Sequence, residues 1–66
     1  MQILLNGELR EVPQDCMLPQ LLEQLGLKAT RIAIELNRQI LRQPDWPHTQ
    51  LREGDRIEIV HFVGGG

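Results

Sequence analysis

The sequence is short of the residues on which enzyme chemistry is most often built. Its 66 residues include one cysteine, Cys16, and two histidines, His48 and His61. A lone cysteine excludes an internal disulfide and fits a reducing compartment. One cysteine and two distant histidines make no metal-ligand spacing. They also make no supported nucleophile–base pair, so Cys16 reads as a buried or bystander thiol. Glycines are present, but no helix follows the terminal three, which excludes a phosphate-cradling loop. A chain of this length has little room for a deep pocket. The residues therefore argue against an enzyme acting alone.

Clustered positive charge is also missing. Seven Lys and Arg stand against nine Asp and Glu, for a net charge of −2. The arginines are scattered along the chain, so the basic footprint of a nucleic-acid binder is absent. No segment approaches the roughly 20 apolar residues of a membrane span. The opening "MQILLNGELRE" lacks a basic n-region and its apolar run is short for a signal peptide. The expected compartment is the cytoplasm, with neither nucleic acid nor membrane as partner. The hydrophobic fraction of 41% and charged fraction of 24% are those of an ordinary globular domain.

What is present reads as a small α+β domain. "MQILLN" alternates Met1, Ile3 and Leu5 with polar positions, apart from Leu4, and predicts a strand. Asn6-Gly7 is a strong hairpin signal, because both residues tolerate positive φ. "ELREV" is the returning strand, and Pro13 ends it. In "LPQLLEQLGL", Leu18, Leu21, Leu22 and Leu25 recur at i, i+3, i+4 and i+7, the stripe of a short helix. Pro19 suits its first turn and Gly26 its left-handed stop. "RIAIELN" is a strand with Ile32, Ile34 and Leu36 on one face. Asn37 opens a turn, and "QIL" returns as a short strand. "RQPDWPHTQ" reads as a loop that Trp46 pins to the domain. After a turn at Gly54-Asp55, Ile57 and Ile59 alternate with Arg56 and Glu58 in the last strand. The order is β-β-α-β-β-β, one helix packed across a mixed sheet. The first and last strands are expected to pair in parallel at its centre.

The chain closes on "HFVGGG". Val60 and Phe62 alternate with Ile59 and His61, so they face away from the helix if Ile57 and Ile59 face it. An exposed Val/Phe pair there would be a docking patch. Gly64, Gly65 and Gly66 carry no side chains and can lie extended in a slot too narrow for any Cβ. Three extended residues reach about 10 Å, enough to deliver the Gly66 carboxylate to a partner's active site. The expected division is a domain over residues 1–63 and a glycine tail over residues 64–66. The carboxylate is a poor electrophile until a nucleotide-using partner activates it. The plain alternative reads the three glycines as a frayed end.

The element order, the segments "LLEQLGL", "IAIELNRQI" and "LREGDRIEIVHFVGGG", and the Gly65-Gly66 end together resemble the ThiS family of sulfur carrier proteins of thiamine biosynthesis. The resemblance covers nearly the whole chain. It implies the β-grasp, ubiquitin-like fold. It also implies that Gly66 is adenylated by an E1-like activating enzyme using ATP, the carrier itself binding no cofactor. A sulfur donor system would then form a thiocarboxylate, and thiazole synthase would receive the sulfur. Gly64 and Gly65 would thread the tail, and Val60 and Phe62 would dock. The chain departs from the family pattern at Arg38, where a glycine often follows the turn asparagine. It departs again at Gln43, where an arginine often stands three residues before the loop tryptophan. The molybdopterin synthase small subunit shares the fold and the Gly-Gly end, and is the runner-up. A non-covalent ubiquitin-like binding module is the alternative of another class.

Overall fold

The computed structural model describes residues 1–62. Five strands form one sheet: β1 Gln2–Leu5, β2 Glu8–Glu11, β3 Ile32–Leu36, β4 Gln39–Leu41 and β5 Arg56–His61. The helix α1 spans Leu18–Gln24. The spatial order is β2-β1-β5-β3-β4, with β1 and β5 parallel at the centre and the other neighbours antiparallel. The helix lies between β2 and β3 in sequence and carries the chain across the central pair.

Local chemistry accounts for each element. Asn6 and Gly7, at φ 50 and 83, form the two-residue turn that their identities predict. The α1 start is held by the Gln20 side chain, whose Oε1 accepts the Met17 N–H at 2.8 Å. Its end is a Schellman motif. Gly26, at φ +69, donates to the Glu23 carbonyl, and Leu27 donates to the Leu22 carbonyl, both at 3.0 Å. Leu18, Leu21 and Leu22 are buried, as the periodicity requires, and Leu25 is half-buried. They pack on the inner sheet face formed by Ile3, Ile32, Ile34, Ile57 and Ile59, and Val12, Cys16, Trp46 and Leu51 close the core.

Residues 42–50, expected as a loop, contain a 3₁₀ helix over Gln43–His48. Pro44 and Pro47 are compatible with it, because their fixed φ lies within the 3₁₀ range. The Thr49 hydroxyl donates to the Asp45 carbonyl at 2.8 Å and closes the segment. Trp46 is buried, and its indole N–H donates to the Leu41 carbonyl at 2.9 Å. The tryptophan therefore pins this segment against the end of β4, as expected. Another 3₁₀ turn, Ala29–Arg31, precedes β3 and was not legible in the sequence.

Candidate functional site

The site is the outgoing end of β5, and its placement begins at the strand's other end. Gly54, at φ +82, turns the chain into Asp55. Asp55 accepts the Arg52 N–H at 2.8 Å and the Asn37 side-chain amide at 3.1 Å. The Asn37 Oδ1 accepts the Arg56 N–H at 2.9 Å, and the Asn37 N–H donates to the Arg56 carbonyl at 2.7 Å. One asparagine side chain thus ties the β3–β4 turn to the first residue of β5. The register of β5 against β3 follows, running from Leu36 opposite Ile57 to Ile32 opposite His61.

Alternation along β5 then decides what faces out. Ile57 and Ile59 are buried, so Arg56, Glu58, Val60 and Phe62 fall on the opposite face. Val60 is 57% exposed and Phe62 is 62% exposed. Val60 lies opposite Ala33, and the Phe62 N–H donates to the Arg31 carbonyl at 2.9 Å, which keeps Phe62 in line with the strand. The remaining large exposed apolar residues, Leu9 and Ile40, share this outward face, at the outer strands β2 and β4. Glu35 and Glu58 stand directly opposite one another between them.

The parallel partner β1 ends early. Its Asn6 N–H donates to the Ile57 carbonyl at 2.9 Å. The Ile59 N–H is then taken by the Asn6 side chain, at 2.8 Å from Oδ1. Beyond that contact, among the described residues, β5 has β3 alone beside it. The last strand therefore projects past the β1–β2 hairpin toward the C-terminal segment. Gly64, Gly65 and Gly66, the predicted tail and modification site, lie outside the described residues, as does Val63.

The other candidates fall elsewhere. Cys16 is buried in the core, its thiol 3.5 Å from the Met17 carbonyl. Among the described residues, no group of His, Cys, Asp and Glu could hold a metal ion, and no helix is long and apolar enough to cross a membrane. A groove of about 420 Å³ runs between α1 and the Trp46 segment, lined by Pro19, Leu22, Leu27 and Pro47 with Glu23 and Gln43 at its polar side. The sequence reading missed the two asparagine side chains that position β5. The signal was there, since Asn6 and Asn37 were each recognised as turn residues. Their long-range partners, the Ile59 and Arg56 N–H groups, were not visible.

Comparison with known proteins bears on this arrangement. The model of the ThiS family matches residues 3–66. The sulfur carrier protein ThiS of Escherichia coli K12 is 30% identical over 66 residues, covering both chains completely. A thiazole synthase of Paramagnetospirillum magneticum is 33% identical over 66 residues. There the chain spans only 20% of the relative's length. The crystal structure of a thiamine biosynthesis protein, ThiS, from Geobacter metallireducens superposes with a TM-score of 0.83 at 29% identity, over all of both chains. The β-grasp fold expected from the resemblance is the fold of the chain.

Proposed function

The chain belongs to the ThiS family of sulfur carriers in thiamine biosynthesis, and from that membership we propose that its terminal carboxylate is the site of sulfur loading. A Gly66 carboxylate oxygen attacks the α-phosphorus of ATP on an E1-like partner, releasing pyrophosphate and leaving an acyl-adenylate. A sulfur nucleophile from the donor system attacks that carbonyl and AMP departs. Where that nucleophile is a persulfide of the donor, a thiol of the donor system then attacks the acyl disulfide so formed. That leaves the thiocarboxylate on Gly66 and a disulfide on the donor side. Thiazole synthase takes the sulfur from the thiocarboxylate. The chain acts as a protein co-substrate, supplying carboxylate, reach and docking surface. It binds no cofactor in this scheme.

One observation supports this reading above the others. The family match runs through the glycines to residue 66, and the strand before them is held by β1 on one side and β3 on the other while its outward face stays bare. Val60 and Phe62 sit where an enzyme grasping the tail would meet the domain. The match to part of a thiazole synthase favours that enzyme as the sulfur acceptor.

The test is the mass of the intact chain. Incubated with ATP, the matched activating enzyme and a sulfur donor, a fraction should gain the mass of an oxygen-to-sulfur exchange, carried by the terminal peptide. If the activating enzyme forms no adenylate on the chain, the reading fails.

A further inference from the structure

The main chain at the end of β5 has an unfilled side. Along a strand, the N–H and C=O of one residue point the same way, and neighbours point oppositely. Arg56 and Phe62 bond toward β3, which places Glu58 and Val60 on that side as well. Ile57, Ile59 and His61 therefore face β1. The Ile57 carbonyl is taken by the Asn6 N–H and the Ile59 N–H by the Asn6 side chain. Past Asn6 the chain turns back into β2. The Ile59 carbonyl and both main-chain groups of His61 then face a side on which the described residues supply no strand.

This half-edge differs from the sheet's two outer edges. β2 is built of Glu8, Leu9, Arg10 and Glu11, whose charges discourage pairing, and β4 has only three residues. Around His61 the guards are absent. Val60 and Phe62 flank it, both exposed. Unpaired N–H and C=O groups in line are a template for an added strand. The half-edge also lies immediately before the segment that a partner must hold.

We propose that this half-edge is a strand-addition site. Its occupant is an extended segment of the activating enzyme, which pairs with Ile59 and His61 while the glycines enter that enzyme's active site. The Asn6 side chain supplies the rung between β1 and the incoming strand. Val60 and Phe62 add apolar contact on the outward face. The proposal rests on the carrier reading, but its readouts are binding and amide protection, which do not require adenylation to occur.

The substitution His61→Pro removes an N–H that no described residue accepts, at an edge position where proline is tolerated. Its thermal transition should match that of His61→Ala, which keeps the N–H. Affinity for the activating enzyme should fall about tenfold or more in His61→Pro, the worth of one main-chain hydrogen bond and its unpaired acceptor, while His61→Ala stays within about twofold. On the wild-type chain, the His61 amide should exchange fast when free, in contrast to those of Val60 and Phe62. It should become protected in the complex. Unchanged exchange of that amide in the presence of the enzyme, or wild-type affinity of His61→Pro, would overturn the proposal. So would protection that appears at high concentration of the chain alone, because the occupant would then be a second copy.

Discussion

At the scale of single residues, two side chains carry more of the fold than their types suggest. Asn37 and Arg38 occupy the β3–β4 turn at φ 52 and 69. Asparagine tolerates that region; in arginine the Cβ crowds the following carbonyl oxygen there. The family pattern noted above commonly has glycine after this asparagine, and the backbone supplies the reason. Arg38→Gly should therefore raise stability by about 0.5–1 kcal/mol, the relief of a left-handed Cβ less the extra freedom of an unfolded glycine. A chemical denaturation midpoint checks it, and a lower midpoint would contradict it. Trp46 is the second case. Trp46→Phe keeps most of the apolar bulk but deprives the Leu41 carbonyl of its donor. It should cost about 1–3 kcal/mol. Trp46 was readable as an anchor, because a tryptophan between prolines has few other uses. Its acceptor was not readable, since nothing local ties an indole N–H to the carbonyl that ends the preceding strand.

At the scale of elements, β5 is both the structural centre and the route to the terminus. Its inward residues Ile57 and Ile59 are core, and its outward residues Val60 and Phe62 are exposed. Phe62→Ala should thus change stability by no more than about 0.5 kcal/mol. Affinity for the activating enzyme should fall by a larger factor, as truncation of an aromatic anchor does. Calorimetric unfolding beside a binding titration separates the two. A loss of several degrees in the transition with intact binding would assign Phe62 to the core. The strand and helix assignments succeeded where period and punctuation agreed: Asn6-Gly7, the leucine stripe to Gly26, and the isoleucine alternation in β3 and β5. The Gln43–His48 helix escaped because a 3₁₀ segment this short has no apolar repeat, and its prolines read as loop. The Trp46 indole ties it to the Leu41 carbonyl.

At the scale of the molecule, the fold and the terminal segment are expected to be separable. Among the described residues, every buried residue of the core lies between Ile3 and Ile59. Deleting Gly65 and Gly66 should leave the thermal transition unchanged while abolishing adenylation and sulfur loading. A truncated chain that still gained sulfur would place the reactive group elsewhere. Gly65→Val should act the same way by size alone, folding normally but resisting activation because a branched side chain does not enter a narrow slot.

The class of fold, the helix, the hairpin and the leucine and isoleucine faces of the core were legible in the sequence, because those follow from local period and from residues suited to positive φ. The sequence also determined the glycine terminus and the alternation that turns Val60 and Phe62 outward. The fold alone shows that Asn6 and Asn37 hold β5 from its two opposite sides and that β1 stops before His61. Both are relations between segments distant along the chain. A hydrogen-bond partner some fifty residues away leaves no trace in the local pattern.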